Sequence, residues 1–172
     1  MERIFYARTD SPAGPLLLAL SPSGLMKLEF DRGQRPEDMG VDQDWQESRS
    51  ALQPWLTQLD EYFEGKRREF SLPLDLRGTE FQLKCWRALL DIPYGETCSY
   101  RDIAHAIGHP QAFRAVGMSN NRNPIAIVVP CHRVIAADGT LCGYGGGLDI
   151  KRKLLDLEEA GVRPRLPLAI GA

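Results

Sequence analysis

A cysteine and a histidine stand next to each other in the second half of the chain, directly after an apolar run. The run is Ile125–Val129, and Pro130 separates it from Cys131 and His132. Because β-branched residues favour buried strands and proline cannot extend a sheet ladder, the pattern predicts a strand that ends at the proline. A thiol attacks as its thiolate, which a neighbouring base favours. The dipeptide indicates either a nucleophile with its base or a buried cysteine beside a surface histidine.

The remaining cysteines and histidines show no spacing that is typical of a metal site. The other cysteines are Cys85, Cys98 and Cys142, and none of the four has the two-residue spacing of a zinc knuckle. His105 and His109 are four residues apart, but the glycine between them predicts the end of a helix. We therefore predict no metal and no cofactor.

Composition and charge are those of an ordinary globular protein. The 172 residues allow one domain or two small ones, and 43% hydrophobic residues suffice for a packed core. No apolar run has the length of a membrane span, and the first residues lack the order of a secretory signal. We therefore expect a cytoplasmic protein with reduced thiols and no membrane contact. Residues 1–76 hold 9 basic and 14 acidic residues, whereas residues 77–172 hold 12 and 9, so a polyanion would meet the second half.

We predict two domains, 1–76 and 77–172, whose strands and helices position the residues that could do chemistry. Three strand-like segments open the first domain: Arg3–Ala7, Pro15–Ser21 and Gly24–Phe30. Apolar residues then recur at helical spacing from Leu52 to Phe63, and Gly65 is placed to end that helix. We predict a small sheet-plus-helix domain without chemistry of its own.

The second domain is predicted to be mostly helical, which makes the fold class α+β. Thr79 and Gln82 fit a capping box at the start of one helix. Ser99–Asp102 opens a second helix, and a turn at Pro110 leads to a third over Gln111–Asn121. Two short helices joined by a glycine-containing turn are typical of a helix-turn-helix, but they also occur as an ordinary helical hairpin.

A glycine-rich loop and a last helix follow the Cys-His pair. The loop Gly143–Gly147 contains four glycines and lacks the Lys-Ser or Lys-Thr pair of a phosphate loop. We interpret it as a pocket wall where the backbone approaches a flat ligand. The helix predicted over Leu148–Ala160 carries Glu158 near its end, where the helix dipole disfavours a carboxylate, so we expect this carboxylate to have a partner.

Several segments of the second domain together resemble one protein family. In chain order they are Tyr100, Phe113–Gly117, Asn123-Pro124, Pro130–Val134, Gly143–Gly146 and Leu157-Glu158. In order and spacing they are similar to the O6-alkylguanine-DNA alkyltransferases, also called methylated-DNA–protein-cysteine methyltransferases. The resemblance extends from Thr79 to Gly161, and its Pro-Cys-His-Arg-Val block is specific to the family. The first half matches only in outline, as a small ribonuclease-H-like domain.

The resemblance implies a suicide DNA-repair enzyme, a methylated-DNA–[protein]-cysteine S-methyltransferase. The alkyl group of O6-alkylguanine, and also of O4-alkylthymine, would pass from double-stranded DNA to Cys131 in one irreversible turnover. Glu158 would orient His132, which would take the thiol proton through a water. Tyr100 would give a proton or hydrogen bond to the leaving guanine, and Asn123 would brace the helix-turn-helix against the active site.

The resemblance also implies which residues contact DNA. The helix-turn-helix would enter the minor groove without sequence specificity, and Arg114 would fill the place of the flipped base. Ala115 and Gly117 would allow a close approach, whereas Met118 is bulkier than the residue common in the family. The other predicted DNA contacts are Ser99 and Arg122.

The resemblance further implies a pocket for the flipped base. Its predicted members are Tyr100, Cys131, Val134, Tyr144, Gly145 and Gly146. The carbonyls of Cys131 and Val134 and the backbone near Gly145 would read the base edge. Gly145 stands where some members carry a serine, so one side-chain contact would be absent. We expect the protein to act as a monomer.

Three functions are distinguished by simple tests. An alkyltransferase would gain one methyl group at Cys131, whereas a DNA-binding protein that recognises alkyl lesions without removing them would not. A Cys-His hydrolase would need an oxyanion hole and would turn over many times. An alkyltransferase would instead titrate at one equivalent.

Overall fold

The computed structural model describes residues 1–163, and it begins with the expected three-stranded meander. The strands β1 (Phe5–Thr9), β2 (Leu16–Ser21) and β3 (Gly24–Phe30) pair antiparallel in chain order. A two-residue strand, β4 (Gln46–Glu47), adds parallel to β1, so the sheet order is β3-β2-β1-β4 and β3 forms an edge. Residues 164–172 of the predicted second domain lie outside the described part.

One helix, α1 (Arg49–Phe63), packs on β1 and β2. The Ser48 side chain accepts a hydrogen bond from the Ala51 amide and so caps the helix. Its buried apolar residues are Leu52, Trp55, Leu56, Leu59 and Tyr62. Gly65 follows the helix in the left-handed conformation, with a φ of 74°, as predicted from its type and position.

The second domain is mostly helical, which confirms the predicted α+β class. Its elements are α2 (Glu80–Leu90), β5 (Cys98–Ser99), α3 (Tyr100–Ala106), α4 (Phe113–Asn121), β6 (Val134–Ile135) and α5 (Leu148–Val162). The predicted capping box of Thr79 and Gln82 is present at α2. The short parallel pair of β5 and β6 was not predicted, because two-residue strands leave no periodic pattern.

The predicted strand over Ile125–Val129 is wrong. Only Ile125 forms a bridge to the sheet, and Ile127 has a φ of 71°, which a strand does not allow. Local hydrogen bonds replace the ladder, since the Val128 amide donates to the Ala126 carbonyl over 2.8 Å. All five residues are buried. The apolar run therefore indicates only that these residues are buried in the core. A buried turn between two domains fits this pattern as well as a strand does.

The edge strand β3 joins the two domains. The Leu28 amide donates to the Pro124 carbonyl, and the Ala126 amide donates to the Leu28 carbonyl, each over 2.9 Å. The Leu25 amide in the same strand donates to Pro73 over 3.0 Å. Segments from the second domain and from the connection between the domains therefore cover this edge, and the segment that leads to Cys131 is hydrogen-bonded to the first sheet.

Candidate active site

Cys131 opens a short 3₁₀ turn, Cys131–Arg133, and lines a cavity of about 270 Å³. The Cys131 amide donates to the Val129 carbonyl over 2.8 Å, and the Arg133 amide donates to the Pro130 carbonyl over 3.0 Å. These bonds fix the backbone on both sides of the sulfur. Cys131 is 8% exposed, so the thiol faces a small cavity rather than bulk water.

Asn123 ties the thiol to the end of α4. Its Nδ2 donates to the Cys131 Sγ over 3.2 Å and to the Val129 carbonyl over 2.7 Å. Its Oδ1 accepts from the Ile125 amide over 3.0 Å. Because Asn123 follows α4 by two residues, the same side chain connects that helix with the segment that carries the thiol.

The structure brings His132 and Glu158 together in the interior. The His132 Nε2–H donates to Glu158 Oε2 over 2.6 Å, and the two side chains are 0% and 1% exposed. A carboxylate only accepts, so the proton lies on Nε2 and the other ring nitrogen, Nδ1, is the basic one. Nδ1 is buried and has no hydrogen-bond partner among the described residues.

Two residues that sequence reasoning missed also bind the Glu158 carboxylate. Tyr62, from α1 of the first domain, donates its hydroxyl to Oε2 over 2.6 Å. Arg133 donates Nε to Oε1 over 2.7 Å and Nη2 to Oε2 over 3.1 Å. Tyr62 gives no signal in the sequence because it lies on the apolar face of its helix. Arg133 belongs to the Pro-Cys-His-Arg-Val block, but its side-chain partner Glu158 lies 25 residues away in the sequence.

Burial controls the protonation of the reacting groups. Burial raises the pKa of the Cys131 thiol against smaller opposing effects of its neighbours, and burial lowers the pKa of His132 against the pull of Glu158. Burial also raises the pKa of Glu158, but the hydrogen bonds and charges of His132 and Arg133 outweigh it and bring that pKa to about 2. At neutral pH the thiol and imidazole are neutral and the carboxylate is charged, so the thiolate forms when the base takes its proton.

A buried lysine near the thiol is a third residue that was missed. Lys151, in the first turn of α5, is 0% exposed and donates to the carbonyls of Val134 over 2.6 Å and Cys142 over 2.9 Å. Its positive charge lowers the pKa of Cys131. No pattern in the sequence distinguishes this lysine from a surface lysine at the start of a helix.

The cavity contains part of the predicted base pocket. Cys131, Tyr144, Gly145 and Gly146 line it. Val134 does not, because its side chain is fully buried and its carbonyl is occupied by Lys151. The Val134 carbonyl accepts one hydrogen bond from Lys151 and keeps a second lone pair, so its contact with a base edge stays a prediction.

Tyr100 also lies outside the cavity lining. Its hydroxyl donates to the Cys142 carbonyl over 3.0 Å and accepts a hydrogen bond from the Cys142 thiol over 3.7 Å. Burial raises the pKa of Tyr100, and the charges of Cys142 and Cys131 add to the rise, so the two sites are close enough to interact. Tyr100 therefore borders the site without lining the cavity, and its place in a base pocket stays a prediction.

The helices α3 and α4 form a pair joined by a turn over residues 107–112. On α4, Arg114 is exposed and makes no hydrogen bond or ion pair with another residue of the described part. Met118 is 60% exposed, and a Cβ at Gly117 would lie 3.7 Å from the Tyr100 ring. Ala115 is partly buried, Arg122 is exposed at the end of α4, and Ser99 caps α3. The exposed side chains of α4 therefore lie on the face opposite to its packing with α2.

The other cysteines lie in different surroundings. Cys85 is buried in the core, as predicted, Cys98 is partly buried and Cys142 is exposed. Burial and the charge of Asp102 raise the pKa of Cys98 to about 11. Within residues 1–163, no group of three or more His, Cys, Asp or Glu side chains is arranged to hold a metal ion. No helix of the same part is long and apolar enough to cross a membrane.

Two family models match almost the whole chain. The model described as "6-O-methylguanine DNA methyltransferase, ribonuclease-like domain" matches residues 4–76. The model described as "6-O-methylguanine DNA methyltransferase, DNA binding domain" matches residues 80–160. Among curated relatives, the methylated-DNA–protein-cysteine methyltransferase of Methanosarcina barkeri is 49% identical over 160 residues, which cover 93% of this chain and 100% of that protein. The protein of the same name from Mycobacterium leprae is 52% identical, with coverage of 92% and 94%.

Solved structures of similar proteins share the fold. The O6-methylguanine methyltransferase of Mycobacterium tuberculosis superposes with a TM-score of 0.83 at 49% identity, covering 96% of each chain. The Mycobacterium tuberculosis OGT in complex with DNA gives a TM-score of 0.84 at 50% identity, covering 91% of this chain and 94% of that one.

Proposed function

The chain belongs to the 6-O-methylguanine DNA methyltransferase family, a family of DNA-repair enzymes that transfer alkyl groups from DNA to a cysteine, and we propose that Cys131 is the acceptor. The observation that carries this assignment is the position of Cys131 on the cavity, with the His132–Glu158 pair directly beside it. Among the described cysteines, Cys131 alone lines that cavity.

The proposed reaction begins with the transfer of the thiol proton to His132. The acceptor is Nδ1, through a water as in the family pattern, because Nε2 is held by Glu158. Burial makes an isolated imidazolium unfavourable, and the adjoining carboxylate compensates for this cost. The thiolate is stabilised by the Asn123 amide and by the charge of Lys151.

The thiolate then displaces the base from the alkyl carbon. A carbon–sulfur bond forms on Cys131 while the bond from that carbon to O6 breaks, and its electron pair passes into the guanine ring. Tyr100 donates a proton or a hydrogen bond to a ring nitrogen, after leaving the Cys142 carbonyl that it binds in the free protein. Overall the thiol loses one proton and the guanine gains one, because the proton held on His132 passes through water and replaces the one that Tyr100 gives up. Because a thioether is a very poor leaving group, each molecule acts once.

The proposed DNA-binding element is the α3–α4 pair, which enters the minor groove. A base inside the duplex must be flipped out at a cost of a few kcal/mol before a buried thiol can reach it. The exposed Arg114 on α4 is free to occupy the vacated position in the stack. Contacts through the backbone and through the small residues Ala115 and Gly117 suit a repair protein that ignores sequence.

The proposed substrates are O6-alkylguanine and O4-alkylthymine in double-stranded DNA. Both carry an alkyl group on an exocyclic oxygen of a ring that becomes a stabilised anion when the group leaves. We propose that the protein acts on them as a monomer and without metal or cofactor, because one chain supplies the base, the nucleophile and the proton donor. We further propose that it acts in the cytoplasm.

The test is the mass of the protein after incubation with a duplex that contains one O6-methylguanine. We expect one methyl group per molecule, located on the peptide that contains Cys131, and no further uptake with excess DNA. Cys131→Ser should take up none, whereas Cys98→Ser should react like the unaltered protein. Binding of the lesion without a mass change would support the lesion-binding alternative, and repeated turnover would support the hydrolase.

A further inference from the structure

One wall of the Cys131 cavity comes from the first domain. Phe30 at the end of β3 and Arg32 just after it line the cavity together with Tyr144, Gly145 and Gly146. The hydrogen bonds between Leu28 and the segment that leads to Cys131 bring the end of β3 to this place. The first domain, which shows no chemistry in its sequence, therefore borders the reacting sulfur.

The aromatic ring of Phe30 lies against the glycine-rich loop. It meets the Tyr144 ring edge-on, with 5.9 Å between the centroids. A Cβ at Gly146 would lie 2.7 Å from the Phe30 ring and 2.9 Å from the Tyr144 ring. Gly146 is therefore the point where the loop backbone rests on this aromatic pair, and any side chain there would push the loop away.

Arg32 binds Gly145, the loop residue that precedes Gly146. Its Nη2 donates to the Gly145 carbonyl over 2.9 Å. The loop itself is bounded by Gly143 and Gly147, whose φ values of 48° and 96° lie in the region that favours glycine. Glycines at both ends allow the loop to pivot, so its position depends on contacts such as those from Arg32 and Phe30.

We propose that Arg32 and Phe30 hold the loop Tyr144–Gly146 close to Cys131 and thereby set the size of the alkyl group that the site accepts. This inference rests on the proposed function, because it concerns the selectivity of the same reaction. The loop forms part of the wall of the cavity of about 270 Å³ beside Cys131, so its position sets the room that is left for the alkyl group. A benzyl group would take up more of this room than a methyl group, and a retreat of the loop to admit it would break the contacts with Arg32 and Phe30. Arg32 and Phe30 are thus specificity-determining residues that act through the position of the loop.

The experiment compares single-turnover transfer from two duplexes that differ only in carrying O6-methylguanine or O6-benzylguanine. In Arg32→Ala the benzyl-to-methyl ratio of rate constants should rise about fivefold, the effect of losing one charge-assisted hydrogen bond at an exposed site. Arg32→Lys should restore part of the selectivity, because an ammonium can donate to the same carbonyl. Arg35→Ala is the matched control, since among residues 1–163 Arg35 forms ion pairs only with Glu37 and Asp38 on its own turn.

A second variant and a second measurement separate selectivity from a loss of folding. Phe30→Leu should raise the same ratio, and hydrogen exchange of Gly143–Gly147 should be faster in both variants at an unchanged melting temperature. An unchanged ratio in both variants, with the unaltered protein active on both duplexes, would overturn the inference alone. An equal loss of both rates with a lowered melting temperature would also overturn it. No transfer by the unaltered protein would instead overturn the proposed function.

Discussion

The hydroxyl of Tyr62 offers the sharpest test of how the carboxylate is held. It is fully buried, and it donates to Glu158 Oε2, the oxygen that also binds His132. Tyr62→Phe removes this donor and keeps the ring. A hydrogen bond to a charged group contributes about 1.5–3 kcal/mol, and the lower figure applies because His132 and Arg133 still bind Oε2. We expect the free energy of unfolding to fall by about 1.5 kcal/mol and the melting temperature by about 3–6 °C.

The same substitution should shift the pH dependence of methyl transfer. With one donor fewer, the pKa of Glu158 rises and its carboxylate attracts the imidazole proton more strongly, so the pKa of His132 rises as well. A change of about 1.4 kcal/mol in this interaction moves a pKa by about one unit. Because the neutral imidazole is the base, the acid limb of the rate profile should move to higher pH. The rate should fall most in the acid range below pH 6.5, where the imidazole becomes protonated, and little near pH 8.

Urea denaturation and single-turnover rates between pH 5 and pH 9 measure both effects. Tyr94→Phe is the matched control, because the Tyr94 ring packs edge-on against Tyr62 but its hydroxyl has no hydrogen-bond partner in the described part of the chain. It should leave the unfolding free energy and the acid limb close to their original values. If Tyr62→Phe behaved like this control in both measurements, the hydroxyl would have no role in holding the carboxylate, and the reasoning would be refuted.

Two further predictions concern the buried charges. Lys151→Met should cost about 2–4 kcal/mol of unfolding free energy, because two carbonyls lose their donor, and it should slow methyl transfer more at pH 7 than at pH 9, because the pKa of Cys131 rises. Equal slowing at both pH values would contradict this. The Glu158 pKa lies near 2 instead of 4.5, so its carboxylate stabilises the fold above about pH 4.5, and about 3 kcal/mol is lost as the pH falls toward 2. The lowered pKa of His132 adds a loss of the same sign below about pH 6.5. In urea denaturation Glu158→Gln should lack the loss below pH 4.5, and an identical slope in both proteins would exclude Glu158 as its source.

The residues within short segments were predictable because their signals are local. The capping box at Thr79 and the glycine after α1 depend on neighbours three or four residues away, and the structure contains both. The approach of Glu158 to His132 followed from the family resemblance and from the misfit of a carboxylate near a helix end. The segment Ile125–Val129 was misjudged because an apolar run carries no period. Burial between two domains and burial in a sheet require the same residue types.

The contacts that complete the site join residues of the first domain to residues of the second. For this reason the sequence alone predicted no chemistry in the first domain. Tyr62 is 96 residues from Glu158, and Arg32 is 113 residues from Gly145. Each looks locally like an ordinary core or surface residue, since its function depends on a partner that only the fold provides. A carboxylate that is 1% exposed needs several donors to remain charged, and the second domain supplies them only in part. The remaining donor comes from α1, so a second domain separated from the first would hold its carboxylate and its pocket loop less firmly than the whole chain does.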